Sequence, residues 1–130
     1  MSTRARILVV DDEEVIVEVI CDHLLKDCGY ELARAYSGVE AIAKAREFKP
    51  DCLLTGVMMA NGDGIYAREE ILKFLPACKI VFATGAAWQP SFRETYLSLG
   101  LDPRLLLAKP FTREELVATM EYAGFPCRSE

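Results

Sequence analysis

Residues 50–64 read Pro-Asp-Cys-Leu-Leu-Thr-Gly-Val-Met-Met-Ala-Asn-Gly-Asp-Gly. The run from Asp51 to Thr55 is short and apolar, which predicts a buried strand, and the glycines after it predict a turn. At the junction stands Gly56, a residue with no side chain. Three other apolar runs end instead in polar groups, namely the carboxylates of Asp11 and Asp12, the hydroxyl of Thr84 and the ammonium group of Lys109.

Apolar runs and helical patterns alternate five times along the chain. Apolar strands followed by crossover helices predict a parallel sheet covered on both faces, an α/β fold in three layers. Right-handed crossovers bring the carboxyl ends of all strands to one edge, so Asp11, Asp12, Gly56, Thr84 and Lys109 are expected to converge there. The predicted strands are 6–10, 31–36, 51–55, 79–84 and 105–108. Three of the predicted helices are about 14–27, 64–75 and 90–99. The second helix begins at the capping box 37–40 and is stopped by Pro50, and the last begins at the capping box 112–115 and ends at Gly124.

The composition is that of one ordinary globular domain, with 52% hydrophobic and 27% charged residues. We expect a single domain over 1–130, ordered over about 5–124, with loose ends at the first few residues and at 127–130. The net charge of −5 argues against direct nucleic-acid binding. No apolar run approaches the ~20 residues of a membrane span, and no secretory pattern opens the sequence.

The five cysteines are an odd number without a C-x-x-C pair, and the chain has one histidine, so zinc binding is not expected. We interpret the cysteines as small buried apolar groups of a protein in a reducing cytoplasm, without a redox role. They are Cys21, Cys28, Cys52, Cys78 and Cys127.

Seven fragments, in order, resemble the receiver domain of two-component response regulators over essentially the whole chain. They are residues 7–13 (Ile-Leu-Val-Val-Asp-Asp-Glu), 50–55, the Met-Met pair 58–59, the Gly-Asp-Gly turn 62–64, 83–85, 100–102 and 107–111 (Leu-Ala-Lys-Pro-Phe). The resemblance implies a flavodoxin-like fold, a parallel sheet in the order 2-1-3-4-5 with five helices. It also implies an aspartate that takes a phosphoryl group from a kinase phosphohistidine, with Mg²⁺ held by acidic residues.

Matched to that family, Asp11 and Asp12 stand at the acidic pair, Thr84 at the switch hydroxyl and Lys109 at the lysine that grips the phosphoryl oxygens. The acceptor aspartate falls on Gly56, which has no oxygen to phosphorylate. Two further departures are Ala60 in place of the usual proline and Leu106 in place of the switch aromatic. Pro110 matches a proline that the family often holds in the cis form, which X-Pro energetics allow.

The loss of the central carboxylate leads us to expect a vestigial pocket, with no catalytic residue and no enzymatic activity. Mg²⁺ binding at Asp11 and Asp12 should be weak or lost, and Lys109 should pair with Asp11 or Asp12. A buried Thr84 hydroxyl bonded to backbone is as good an interpretation as a switch. Thr55, without a neighbouring base, is a poor substitute acceptor; Asp63 is expected to cap the third helix, and His23 to be a surface or half-buried side chain.

The leading hypothesis is therefore a cytoplasmic, phosphorylation-independent interaction module of a bacterial phosphorelay. Its partner would be a histidine kinase, an output domain or a second copy, with no nucleic acid and no membrane. The partner face would comprise the fourth helix, fifth strand and fifth helix, with Arg93, Glu94, Leu97, Leu101 and Arg104, and Trp88 is a further candidate contact.

Two alternatives stay open. One is an ordinary phosphoacceptor receiver represented by an Asp-to-Gly variant. The other, a small-molecule-binding flavodoxin-like protein, is weaker because no glycine-rich phosphate loop follows the first strand.

Overall fold

The computed structural model describes residues 4–128, which form one parallel five-stranded sheet in the order β2-β1-β3-β4-β5. The strands are β1 Arg6–Val10, β2 Glu31–Ala35, β3 Cys52–Gly56, β4 Lys79–Thr84 and β5 Leu106–Ala108. The helices are α1 Glu14–Val19, continued by a π-helical turn Ile20–Leu24, then α2 Gly38–Phe48, α3 Gly64–Phe74, α4 Pro90–Ser98 and α5 Arg113–Ala123; a 3-10 turn, Pro103–Leu105, precedes β5. The predicted fold class and strand order are confirmed.

Both faces of the sheet are covered, which explains why β1, β3 and β4 are apolar at successive positions, whereas the edge strand β2 carries two charged residues. Ile7 and Val9 point into a cluster that includes Val17 of α1 and Leu116 of α5. Leu8 belongs to the opposite cluster, which packs against α2, α3 and Tyr96 of α4. All five residues of β3 are buried, so the strand that carries Gly56 is the centre of the domain.

Side-chain caps begin three of the helices, as the sequence predicts for Thr112 and Asp63. Thr112 and Glu115 form a complete capping box at α5, and Asp63 accepts from the backbone N–H of Tyr66 at 2.8 Å. The box at α2 differs in one bond. Ser37 accepts from the N–H of Glu40, but the Glu40 carboxylate accepts from the N–H of Tyr36 rather than from that of Ser37.

Two details of the predicted helices are wrong. The first helix was expected to continue to about Asp27, but its last helical residue is Leu24, after a turn widened by a bond from the N–H of Leu25 to the Ile20 carbonyl. The fourth helix was expected to include Leu99, but α4 ends at Ser98 and the Leu99 side chain is 50% exposed. It follows the last residue of α4 and precedes Gly100, whose φ of 76° turns the chain away from the helix.

Cys28 and Cys127 form a disulfide with a Cα–Cα distance of 4.3 Å, which corrects the expectation that all five cysteines are free. Residues 127–130 were expected to be a loose end, but Cys127 and Arg128 are held in the fold. Residues 1–3 and 129–130 lie outside the part of the chain that the structure describes. The pairing arises because the segment after α5 folds back onto the loop after α1. Cys21, Cys52 and Cys78 are free and buried, as predicted.

Within residues 4–128, no helix combines the length and the apolar character needed to cross a bilayer.

Candidate functional site

An ion pair lies at the carboxyl edge of the sheet, between the residues that follow β1 and β5. Nζ of Lys109 is 2.5 Å from Oδ2 of Asp11, whose side chain is only 4% exposed. The backbone fixes both residues, since the N–H of Lys109 donates to the Thr84 carbonyl and that of Asp11 to the Ala35 carbonyl. The predicted pairing of Lys109 with one of the two aspartates is confirmed.

Two further carboxylate oxygens of the acidic pair, one on each aspartate, also accept from protein donors. Oδ1 of Asp11 accepts from the backbone N–H of Glu13 at 3.0 Å. Asp12 is exposed, and its Oδ2 accepts a longer bond of 3.3 Å from the N–H of Ala60. The two aspartates therefore differ, since one is buried and paired while the other faces solvent.

Gly56 ends β3 directly beside this pair. A methyl group at its Cα would lie 3.1 Å from Oδ2 of Asp11 and 3.5 Å from Cγ and Sδ of Met59. Its backbone is in β-strand conformation with no positive φ, so no turn requires glycine here. The absent side chain is thus a chemical feature of the pocket rather than a demand of the backbone.

The two threonine hydroxyls near Gly56 are buried and bonded to backbone groups. Oγ1 of Thr84 accepts from the N–H of Ala86 at 3.1 Å, and Thr84 is 6% exposed. The Thr55 hydroxyl donates to the Gly56 carbonyl at 2.9 Å. Neither hydroxyl has a neighbouring base in hydrogen-bond contact, so neither is set up as a nucleophile.

The other predicted site residues are spread beyond the pocket. The Lys109–Pro110 bond is cis, as the sequence suggested. Leu106 is half-buried against the core on the α3 side, and His23 is exposed. Trp88 lies in the loop after β4 with an exposure of 76%.

The predicted partner face is mostly exposed. Arg93, Glu94, Leu97 and Arg104 are open to solvent, whereas Leu101 is half-buried and packs against the core.

A hydrogen-bonded group that the sequence did not reveal crosses this face. The Tyr122 hydroxyl donates to Oδ2 of Asp102 at 2.6 Å, and the Arg104 guanidinium lies 5.4 Å from the centre of the Tyr122 ring. The hydrogen bond from Tyr122 lowers the pKa of Asp102, and the same bond raises the pKa of Tyr122. The Tyr96 hydroxyl donates to the Asp102 carbonyl at 2.8 Å, which links α4 to α5 through one loop residue.

The acidic pair does not make a strong magnesium site by its donor set. Among residues 4–128, no group of three or more His, Cys, Asp or Glu side chains is placed to hold a metal ion. Mg²⁺ prefers octahedral oxygen coordination, and here Asp11 is already paired with Lys109.

A family model described as a response regulator receiver domain matches residues 7–121. The chain belongs to this family. Its members are receiver domains of two-component signalling systems, so the predicted family is confirmed.

Known proteins extend this result. The chain is 38% identical over 117 residues to the transcriptional regulatory protein ZraR of Salmonella typhimurium, covering 90% of the chain but 26% of that protein. Among solved receivers, the chemotaxis protein CheY4 of Vibrio cholerae aligns with a TM-score of 0.81 and 28% identity over 93% of this chain and 99% of that one. The receiver of the Pseudomonas aeruginosa histidine kinase PA1611, with magnesium in its active-site cleft, aligns with a TM-score of 0.77 and 30% identity over 94% and 99%.

Sequence reasoning missed Met59, which lies against the space beside Gly56, and Arg113, whose guanidinium lies beside the disulfide. The Met-Met pair was noted as a family fragment, but only the turn after β3 shows which methionine points inward: Met58 is 77% exposed and Met59 is half-buried.

Proposed function

We propose that this receiver domain acts as a protein-interaction module whose output does not depend on phosphorylation, and that it has no enzymatic activity of its own. The single observation that carries the proposal is Gly56 at the end of the central strand, beside the Asp11–Lys109 ion pair. An acyl phosphate requires a carboxylate at this place, and the two threonines nearby lack a base.

The buried charges of the pocket are also already balanced within the protein. Lys109 neutralises Asp11, and Asp12 is exposed to water, so no buried net charge calls for a metal ion. A divalent cation would have to compete with Lys109 for Asp11 and would find no third carboxylate. We therefore propose that Mg²⁺ binds weakly at best.

Binding would use the exposed face of α4, β5 and α5, the face that contains Arg93, Leu97 and Arg104. Exposed Leu97 and Leu99 place apolar area among charges, a composition suited to a polar-rimmed protein contact. The partner would be a cytoplasmic histidine kinase, an output domain or a second copy. The chain spans about a quarter of the length of ZraR.

Intact-mass spectrometry after incubation with acetyl phosphate and Mg²⁺ tests the proposal. We expect no phosphoryl adduct on the wild-type chain. The variants Gly56→Asp and Gly56→Ala form a matched pair, because both add the Cβ but only the first adds a carboxylate. An adduct on Gly56→Asp alone supports the proposal, whereas an adduct on the wild-type chain overturns it.

The intact remainder of the pocket favours a second candidate, an ordinary phosphoacceptor receiver that carries an Asp-to-Gly change. Asp11, Asp12, Thr84 and Lys109 all lie at the carboxyl edge of the sheet, as an acceptor would need. Sequencing of the natural gene separates the two, because an aspartate codon at position 56 selects the second candidate.

A further inference from the structure

The Cys28–Cys127 disulfide lies under a cationic side chain. One guanidinium nitrogen of Arg113 is 3.8 Å from Sγ of Cys28 and 3.6 Å from Sγ of Cys127. Nε of Arg113 donates to the carbonyl of Leu24 at 3.1 Å, which holds the guanidinium in place. That carbonyl belongs to the last helical residue before the loop that carries Cys28, where helix carbonyls lack intrahelical partners.

The two sulfurs differ in access. Cys28 is fully buried, whereas Cys127, in the segment after α5, is only half-buried. Cys28 also lines a cavity of about 240 Å³ that Arg4, Asp51 and Arg128 border. Arg113 therefore contacts both sulfurs, and the cavity beside Cys28 adds two further arginines and one aspartate, so the local charge is positive on balance and favours thiolate over thiol.

We propose that Cys28 and Cys127 are a reversible thiol–disulfide site, reduced by a dithiol that attacks at Cys127. A positive charge beside both sulfurs and one cysteine that is only partly buried are the features that distinguish reactive cysteine pairs from inert buried ones. The inference concerns a site far from Gly56 in the fold and does not depend on the proposed function.

The reaction balances as an exchange of two electrons and two protons. A thiolate of the dithiol attacks Sγ of Cys127, which forms a mixed disulfide and expels Cys28 as a thiolate beside Arg113. The second thiolate of the reductant then attacks the reductant's other sulfur, which is bound to Cys127 in the mixed disulfide, and expels Cys127 as a thiolate. The dithiol ends as a cyclic disulfide, and both cysteines end as thiols or thiolates with the two protons that the dithiol gave up.

Reduction would loosen the segment Phe125–Arg128. Besides the disulfide, the N–H of Arg128 donates to the Cys28 carbonyl at 2.8 Å, and the Tyr30 hydroxyl donates to the Phe125 carbonyl. Without the covalent link, these two bonds and the packing of Phe125 are the contacts that hold the segment to the loop after α1. The redox state of the pair would thus set how firmly the chain after α5 is attached to the domain.

Alkylation of the folded chain tests the proposal, because the three free thiols are buried and serve as internal controls. The oxidised chain should take up no iodoacetamide while folded. After treatment with dithiothreitol it should take up one label at Cys127 and a slower second label at Cys28 as the segment 125–128 loosens, with an unchanged far-UV circular dichroism spectrum. Oxidised glutathione should restore the unlabelled form.

Two results would overturn the proposal. One is reduction that proceeds only at the rate of global unfolding, since the disulfide would then be a sealed structural bond. The other is labelling of both cysteines in air-oxidised protein without reductant, since no disulfide would then exist.

Arg113→Gln, with Arg113→Lys as its matched control, tests the positioning role of the guanidinium. The pH profile of alkylation of the reduced, folded chain should move to higher pH in Arg113→Gln and stay near the wild-type profile in Arg113→Lys. Reduction should also be slower in Arg113→Gln than in wild type, because a thiol of higher pKa is a poorer leaving group. Coincident profiles in all three proteins would exclude a role for Arg113.

Discussion

Lys109 and Asp11, 98 residues apart in sequence, meet at 2.5 Å across the carboxyl edge of the sheet. The contact joins the residues that follow β1 and β5, and it lies beside the strand end occupied by Gly56. In a pocket with a third carboxylate, one ammonium group would face more negative charge. With glycine there, a single lysine is enough to neutralise the one buried aspartate, so the pocket is stable as a structural element.

Removal of that lysine should destabilise the domain. Lys109→Met leaves the 4%-exposed Asp11 side chain without its cation, which should lower the free energy of unfolding by about 2–4 kcal/mol. Urea denaturation measures the change. The double variant Asp11→Asn/Lys109→Met removes both charges and should recover part of the loss; a single variant as stable as wild type would show that the pair contributes nothing.

Restoring the carboxylate should make stability depend on magnesium. Gly56→Asp brings a new negative charge close to Asp11, with its Cβ 3.1 Å from Oδ2 of that residue, so it should lower stability by about 1–2 kcal/mol without metal. Millimolar MgCl₂ should reverse much of this loss, because binding to the folded state alone stabilises it.

Thermal melts with and without MgCl₂ provide the measurement. Wild type and Gly56→Ala are the controls, and the melting temperature of each should be the same with and without MgCl₂. A wild-type chain that gains as much from Mg²⁺ as Gly56→Asp would contradict the interpretation that the third carboxylate is what the site lacks.

The fold was predictable because its signals are local and repeated. The central strands are short runs of mostly apolar residues, and helix starts such as Thr112 have the residues that cap them. The predicted ends of helices were wrong where packing against other parts of the chain decides where a helix ends. The π-helical turn Ile20–Leu24 and the outward position of Leu99 depend on packing and on one glycine φ, which residue types alone do not specify.

The close approach at Gly64 gives a stability prediction. A methyl group at Gly64 would lie 2.0 Å from the carbonyl oxygen of Gly56, a backbone atom that cannot rotate aside. Gly64→Ala should therefore cost about 2 kcal/mol or more, because the turn between β3 and α3 must open. Gly85→Ala meets no atom within 4 Å and should be close to neutral in the same urea experiment.

Part of the site was predictable for a topological reason, since Asp11 and Lys109 follow parallel strands and must share an edge. The disulfide was not, because 99 residues separate Cys28 from Cys127 and no spacing rule covers that distance. The nearby Arg113 is a full helix away from Cys127 in sequence. Only the folded path of the segment after α5 brings the three together.

The disulfide closes nearly the whole chain into one loop. Loop closure of this length restricts the unfolded state, so reduction should lower the free energy of unfolding by about 2–4 kcal/mol. Urea midpoints with and without dithiothreitol measure the effect. The double variant Cys28→Ser/Cys127→Ser should have the lower stability and no response to reductant; equal midpoints for oxidised and reduced wild type would contradict the loop-closure argument.

Alkaline pH should unfold the domain through its buried thiols. Burial raises the pKa of Cys21 to about 11 and that of Cys78 to about 12, from 9.0 in each case. Because the folded pKa is the higher one, this stabilisation is complete below pH 9 and is lost as the pH rises toward 11 and 12. Cys78→Ala should therefore lose about 2–3 kcal/mol less than wild type between pH 8 and pH 11. Urea denaturation at the two pH values checks this, with the exposed-site variant Ser91→Ala as the control.

A wild-type loss of stability that is matched by Cys78→Ala would assign the alkaline transition to other groups. Tyr30 and Tyr96, whose pKa values burial raises to about 12, are then the next to test.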